Sequence, residues 1–332
     1  MTNHQKTRRL KRKQGNFYCE NIFLCYNNYI MKKAILIVSV VAMVAVLGLS
    51  LSACNNATTQ GQLQNILNDH NHESFEYEVF AQDGNGNKIE GYDGLYTVTL
   101  DRKSAGSTVE NFGDVTLTDV ADGVLVRGNL TVGTTVYDTG CYFALINGAS
   151  YMVPAYSYRT ITKDGTCTFS LNATYNGKSF EFSRTVDGVQ KDGAVDLGKA
   201  ATYFDNNEFH QALRTMTTFS DSLSFSFVTP IVSATEATSV TLTARVSGKA
   251  TVKNAFTESN ANYQDGGISC YKTYVSRSTE VAGLSQTLYY AENDITFSGW
   301  GLKHVLVRIN EPFKLDGNIY TMVYDLKTAT LA

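Results

Sequence analysis

Residues Tyr203 to Met216 bring together side chains that could carry out proton-transfer chemistry. The carboxyl groups of Asp205 and Glu208 lie close in sequence to His210 and Arg214, a set that could serve acid–base catalysis or bind an anion. The same spacing also fits a capping box, because Asp205 precedes a helical pattern and Glu208 follows it by three residues. We therefore expect Asp205 and Glu208 to act structurally, as the N-terminal cap of a helix.

The apolar residues around this cluster predict the helix that would position it. Phe204 and Phe209 stand where a hydrophobic staple belongs. Phe209, Ala212, Leu213 and Met216 recur at intervals of three or four residues, which gives one apolar stripe. The sequence thus predicts one substantial helix that packs on a sheet.

His210, Gln211 and Arg214 are left on the opposite face of that helix. Arg214 could bind an anionic head group at the mouth of a curved sheet. We expect instead that its side chain is either solvated or locally hydrogen-bonded. His210 and Arg214, with Arg184 from a predicted strand, are the candidate ligand-binding residues.

Other chemistry finds little support in the sequence. His70 and His72 could share one side of an extended segment, but no third ligand lies near, so we expect exposed linker histidines and no metal site. The sequence has no Gly-x-Ser-x-Gly elbow, no phosphate-binding Gly loop and no His-Glu-x-x-His pattern. We assign no catalytic residue and no cofactor and expect no enzymatic activity; an unrecognised hydrolase is the alternative.

The elements that must position these residues are mainly strands. Short runs rich in Thr, Val, Tyr and Phe alternate with turn dipeptides such as Asp-Gly and Asn-Gly. Alternation predicts strands at 95–100, 115–120, 124–132, 222–228, 240–246, 271–276, 286–290, 304–309 and 320–326. The predicted fold is mainly β, with one large curved antiparallel sheet (half-barrel or barrel-like) and one or two short helices in a single domain, 73–332.

One hairpin can be predicted in register. Asn176-Gly177 suits a two-residue type I′ loop, which would place Ala173 opposite Phe180 and Leu171 opposite Phe182. In this register the apolar faces of both strands coincide. Arg184 would then oppose Phe169, so we expect it either at the edge of the buried face or in an interior that is not wholly dry.

The N-terminal region predicts export and lipidation. Lys32 and Lys33 precede an apolar run, and Leu51-Ser52-Ala53-Cys54 follows, which is similar to the lipobox of bacterial lipoproteins. That resemblance implies a signal peptide at 31–53, a lipid on Cys54, and a polar tether at 54–72; a transmembrane anchor is the alternative. Residues 1–30 are expected to be a mis-annotated or discarded extension, although their basic run could bind nucleic acid or a membrane surface.

The charge and the cysteines limit the possible partners. The chain has 28 Lys+Arg and 31 Asp+Glu, and residues 1–53 hold eight basic residues and one acidic residue, so the remainder has a net charge of −10. This balance argues against nucleic-acid binding. Cys141, Cys167 and Cys270 remain after Cys54; we expect buried small side chains, with a Cys141–Cys167 disulfide as the alternative.

The order of several loose motifs resembles the YmcC-like group of exported bacterial lipoproteins, a domain-of-unknown-function family. The motifs are YMVPAYSYRTI from Tyr151, Tyr-x-Gly at Tyr175, YFDNNEFHQALRTM from Tyr203, SFSFVTP from Ser224, GISCYKTYVS from Gly267 and QTLYYAEN from Gln286. A polar insertion near Thr257–Asp265 departs from the family. The resemblance implies a curved antiparallel sheet related in shape to envelope carriers of lipoproteins and lipids.

Two hypotheses of function follow. The first is a lipoprotein on the outer face of the cell membrane, or on the outer membrane of a two-membrane bacterium, that holds an apolar or glycan-like ligand on the concave face of its sheet. The second is a structural or protein-interaction module with no small-molecule ligand. In both, the membrane is a partner through the lipid on Cys54, nucleic acid is not a partner, and the oligomeric state is open.

Overall fold

The computed structural model describes residue 67 and residues 70–145, 152–198, 202–215, 224–253, 267–277, 285–297 and 300–331. The predicted lipid-bearing Cys54, the signal peptide, most of the tether and the polar insertion near 257–265 lie outside these residues. Within the described part of the chain, no helix is long and apolar enough to cross a membrane.

The described residues form mainly strands, as the alternating sequence predicts. The strands of the first half are β1 (His72–Gln82), β2 (Lys88–Lys103), β3 (Ser107–Phe112), β4 (Val115–Val120), β5 (Gly123–Val132), β6 (Thr135–Leu145), β7 (Met152–Lys163), β8 (Thr166–Asn176), β9 (Ser179–Val186) and β10 (Val189–Asp196). Those of the second half are β11 (Ser224–Val232), β12 (Ala237–Lys253), β13 (Gly267–Arg277), β14 (Gln286–Ala291), β15 (Ile295–Phe297), β16 (Trp300–Leu302), β17 (Leu306–Leu315) and β18 (Asn318–Leu331).

Fourteen of these strands form one antiparallel sheet, in the order β10-β9-β8-β7-β6-β5-β2-β1-β18-β17-β14-β13-β12-β11. Each half of the chain is a meander, and the two meanders meet where β1 pairs with β18. The hairpins β3–β4 and β15–β16 are separate two-stranded sheets inserted into the first and second meander. This arrangement confirms the predicted fold class.

The two edges of the sheet approach each other, so the sheet almost closes into a barrel. Ser239 Oγ on β12 donates a hydrogen bond to the backbone carbonyl of Asp196 on β10, at 2.8 Å. Beyond β10, the chain crosses to the other edge, where Tyr203 forms a parallel bridge with Val228 of β11. The segment that follows therefore lies against the concave face.

The concave face is built by strict alternation along the strands. In β1 every second side chain from Glu73 to Ala81 is buried. The register aligns Tyr77 with Tyr96, Tyr96 with Leu130 and Leu130 with Tyr137 across four strands. The rings of Tyr77 and Tyr96 pack at a centroid distance of 5.7 Å, so these tyrosines act as cross-strand packing on the inner face.

The predicted register of the β8–β9 hairpin is wrong by two residues. Ala173 pairs with Phe182 and Leu171 with Arg184, and the two loop positions are Gly177 and Lys178. Gly177 has φ +60°, as the first position of a type II′ loop requires, so Asn176 stays in the strand. A shift of two keeps each side chain on its predicted face, and the apolar faces still coincide.

The predicted helix is much shorter than expected, and its capping box is wrong. The helix spans Phe209–Ala212 and continues as a 3-10 turn at Leu213–Thr215. Its N-cap is Glu208, with no hydrogen bond from the side chain to the helix. Asp205 instead accepts the backbone N–H of Asn207 at 2.9 Å, which makes a turn before the helix.

The cysteines of the described residues are free thiols. Cys141 and Cys270 are buried, as expected of small core side chains, whereas Cys167 is exposed. Cys141 pairs across the sheet with Ser157, and Cys167 pairs with Thr162, so the alternative disulfide between them does not form.

Candidate functional site

Residues 202–215, which we call the inner segment, connect the concave faces of both meanders. Tyr175 OH of β8 donates to Asp205 Oδ2, and Thr139 Oγ1 of β6 donates to Glu208 Oε1, both at 2.8 Å. At the other end of the inner segment, Arg214 Nη1 donates to Glu73 Oε2 of β1 at 2.7 Å. The polar residues that resemble an active site in the sequence are thus the contacts that hold this segment in the barrel.

The two carboxyl groups of the predicted capping box are buried and shifted toward their neutral forms. Burial raises the pKa of Asp205, although the Asn207 N–H and the Tyr175 hydroxyl oppose that shift. Burial, and then the neighbouring Asp205, raise the pKa of Glu208 to about 8. Glu208 therefore carries a proton at neutral pH, which removes the cost of burying its charge.

A second buried polar chain lies at His210. His210 Nε2 is 3.1 Å from Gln286 Oε1, and Gln286 Nε2 donates to Glu311 Oε1 at 2.9 Å. Burial raises the pKa of Glu311 to about 7 and lowers that of His210 to about 4. His210 is therefore neutral at pH 7, and its backbone carbonyl accepts a hydrogen bond from Tyr290 at 2.8 Å.

The sequence predicts that Arg214 is solvated or locally hydrogen-bonded. Arg214 is buried, so the solvated arrangement is wrong, and it donates locally to Gln211 Oε1 at 3.2 Å. Arg214 and Glu73 form an ion pair in which both side chains are fully buried. Burial alone would raise the pKa of Glu73, but Arg214 and His70 hold it below its ordinary value. His70 lies 2.9 Å from Glu73 with its side chain 6% exposed, so it is not the exposed linker histidine that the sequence suggests.

Arg184 lies apart from His210 and Arg214. Its guanidinium donates to the backbone carbonyls of Ser233 and Glu236, the latter at 3.0 Å, and it is buried. Arg184 therefore lies on the buried face of the sheet, and its guanidinium is hydrogen-bonded there to backbone carbonyl groups. The three candidate ligand-binding residues use their polar atoms on protein partners, and their role in binding a ligand stays a prediction.

An open cavity lies on the opposite, convex face of the sheet; we call it the outer groove. It has a volume of about 680 Å³. One wall is apolar and comes from the β3–β4 hairpin and β7: Phe112, Val115, Leu117 and Tyr156. The floor is polar and comes from the outward side chains of β8, β9 and β10: Asn172, Thr174, Glu181, Ser183, Gln190 and Asp192.

The apolar wall exists because the β3–β4 hairpin packs on the outer face of the sheet. Phe112 of the hairpin meets Tyr158 of β7 edge to face, with ring centroids 4.8 Å apart. Gly113 follows at φ +63°, and a Cβ there would lie 3.1 Å from the Tyr158 side chain. This glycine lets the hairpin turn directly against the sheet.

The floor of the outer groove presents hydrogen-bonding groups to solvent. Asp192 accepts from Gln190 Nε2 at 3.2 Å, and hydrogen bonds from Ser183 and then Gln190 lower the pKa of Asp192. Asn172 donates its amide to Asp114 at the rim. Neither Lys nor Arg lines the groove.

Sequence reasoning missed the outer groove. The floor side chains are the polar alternates of the β8–β9 hairpin, so the pattern places them on the outward face. Most of the wall comes from a hairpin whose Asp114 lies 58 residues before Asn172 of the floor, and nothing in the sequence says where that hairpin packs.

Among the described residues, no group of three or more His, Cys, Asp or Glu side chains is placed to hold a metal ion.

Comparisons with known proteins describe only the fold. No protein-family model matches the sequence, and no curated protein matches it. Among solved structures, the chain is similar to the beta-barrel-like protein of domain of unknown function DUF1849 from Brucella abortus. The identity is 8% and the TM-score 0.44, over 79% of this chain and 98% of that one. The resemblance to the YmcC-like group stays a prediction.

Proposed function

We propose that this protein is a binding protein that holds a glycan-like, polyhydroxylated ligand in its outer groove. The observation that carries the proposal is the pairing of an apolar wall, which includes Tyr156, with a floor of amide, hydroxyl and carboxylate side chains. The faces of sugar rings are apolar and pack on aromatic side chains, and their hydroxyl groups need donors and acceptors. The groove offers both on facing sides.

A purely apolar ligand fits this groove less well. A hydrocarbon chain would cover the floor side chains without hydrogen bonds, at a cost of about 1–3 kcal/mol for each group left unsatisfied. The concave face, where the sequence suggested such a ligand, holds the inner segment. The proposal therefore keeps a ligand-binding role and moves it to the convex face.

We also propose that this protein acts outside the cytoplasm, where a lipid on Cys54 anchors it to a membrane. The lipobox Leu51 to Cys54 and the apolar run before it support this anchoring, and two or three acyl chains on one cysteine bind a membrane stably. We propose no enzymatic activity and no cofactor.

Binding is tested with the purified full-length protein and a panel of neutral, amino and acidic oligosaccharides by isothermal titration calorimetry. Thr174 is exposed on the groove floor, and Thr174→Trp should fill the groove and weaken binding at least tenfold. Thr241→Trp is the matched control, because Thr241 is also an exposed strand residue and lies outside the groove. If no saccharide binds, or if both variants behave alike, the ligand-binding proposal fails and the interaction-module alternative gains support.

The anchor is tested separately by metabolic labelling with a tritiated fatty acid. The natural chain should incorporate label and sediment with membranes, and Cys54→Ala should lose both properties. Label that persists in the variant would overturn lipidation at Cys54.

A further inference from the structure

The outer groove has an acidic floor that no cation of the described residues neutralises. Glu181 and Asp192 both line it. Neither takes part in an ion pair among the described residues. The nearest cations in register, Arg184 and Lys191, pair with each other and belong to the opposite face by strand alternation. Arg184 donates to the carbonyl groups of Ser233 and Glu236.

The strand register places these two carboxylates side by side. Glu181 of β9 pairs with Ala194 of β10, and Asp192 pairs with Ser183. Glu181 and Asp192 are therefore diagonal neighbours on one face, roughly 7–8 Å apart, with somewhat less between their Cβ atoms. Two flexible carboxylates at that separation can both reach a single ammonium group between them, each through a charge-assisted hydrogen bond.

The distance from the apolar wall to these two carboxylates suits a sugar ring with one substituent. Tyr156 pairs with Thr174, and Thr174 pairs with Glu181, so the three side chains form a row across β7, β8 and β9. Two strand spacings separate Tyr156 from Glu181, which is about 10 Å. A sugar ring on the Tyr156 side can thus direct a substituent toward the carboxylates.

We propose that the outer groove prefers a glycan with a free amino group, such as a deacetylated amino sugar, over neutral or acidic glycans. This inference rests on the proposed glycan-binding function and specifies its ligand. The protonated amine would lie between Glu181 and Asp192, with Ser183 and Gln190 orienting the Asp192 carboxylate. Uronic acids and other anionic sugars would be repelled by the same two groups.

The test uses the full-length protein and three matched tetrasaccharides in calorimetry at low and physiological salt. These are a glucosamine tetramer, its N-acetylated form and a glucose tetramer. We expect the amine form to bind about tenfold tighter than the other two, as one charge-assisted hydrogen bond contributes. Asp192→Asn leaves only one of the two carboxylates, so it should lower the ratio of the glucosamine-tetramer affinity to the glucose-tetramer affinity at least severalfold.

Asp316→Asn is the control for general attraction to an acidic protein. Asp316 is exposed at φ +50° in the β17–β18 turn, a conformation that Asn tolerates, and it is far from the groove in the sheet order. Equal affinity for all three tetramers would overturn the amine preference and leave glycan binding intact. An amine preference that Asp192→Asn leaves undiminished, or that Asp316→Asn reduces equally, would also overturn it. Failure of every tetramer to bind would reject both proposals.

Discussion

The inner segment and the outer groove both contain carboxyl groups, but their surroundings shift the pKa values of these groups in opposite directions. Burial raises the pKa of Glu208 to about 8, so this group is neutral and hydrogen-bonded to Thr139. On the convex face, hydrogen bonds from Ser183 and Gln190 lower the pKa of the exposed Asp192. The carboxyl groups that most suggest catalysis in the sequence are thus held by hydrogen bonds inside the sheet, whereas Asp192, an outward side chain of a strand, faces an open groove.

We expect the greatest loss of stability when the buried ion pair of the inner segment is broken. Arg214→Leu removes the guanidinium partner of the buried Glu73 and leaves His70 as its remaining side-chain partner, which should lower the free energy of unfolding by about 3–5 kcal/mol. Equilibrium denaturation in urea measures this loss.

The matched control is Lys88→Ala, which removes an exposed partner of Glu78 at 3.0 Å and should cost about 1 kcal/mol or less. If both variants lost the same small amount, the inner segment would not be held by its buried ion pair.

An intermediate effect concerns pH. Because the pKa of Glu208 is raised in the folded state, its contribution to stability is complete below about pH 4.5 and is lost as pH rises toward about 8. Glu208→Gln keeps a neutral side chain, so the variant should lose less stability than the natural chain between pH 5 and 9, by a few kcal/mol. Urea denaturation across this range measures the difference.

Subtracting the two profiles isolates Glu208, because Glu311 and His210 titrate in both proteins. Glu90→Gln, at an exposed position of β2, should reproduce the natural profile. Parallel profiles for the natural chain and Glu208→Gln would contradict the neutral, buried state of Glu208.

The smallest effect is expected in the outer groove. Asp192 is exposed, and Asp192→Asn should leave the free energy of unfolding unchanged within the error of the measurement. The measurement is the same urea titration at pH 7. A loss as large as that of Arg214→Leu would mean that the groove carboxylate is structural as well.

Local sequence pattern predicted the strands and their faces, and it failed where distant residues decide. Alternation in β8 and β9 assigned the correct faces, while the turn was displaced because Asn176-Gly177 and Gly177-Lys178 both suit two-residue loops. The register of the β8–β9 hairpin therefore depends on whether Gly177 is the first or the second residue of the loop.

The capping-box prediction failed for a related reason. Glu208 has the right spacing to reach back to its own helix, but Thr139, sixty-nine residues away, takes its carboxyl group. Arg214 is likewise 141 residues from Glu73 in sequence. Tertiary contacts of this kind override local propensity and leave no periodic signal.

The pairing of β1 with β18 has a consequence for the order in which the protein can be assembled. Phe75 of β1 has Val98 as one neighbour and Ala329 as the other, so the first of the described strands acquires its second partner from the last of them. Until then the nascent first meander carries an unpaired edge in what becomes the middle of the sheet, where a chaperone or a wrong strand can bind. The central seam therefore joins strands far apart in sequence, and we expect this pairing to form late in folding.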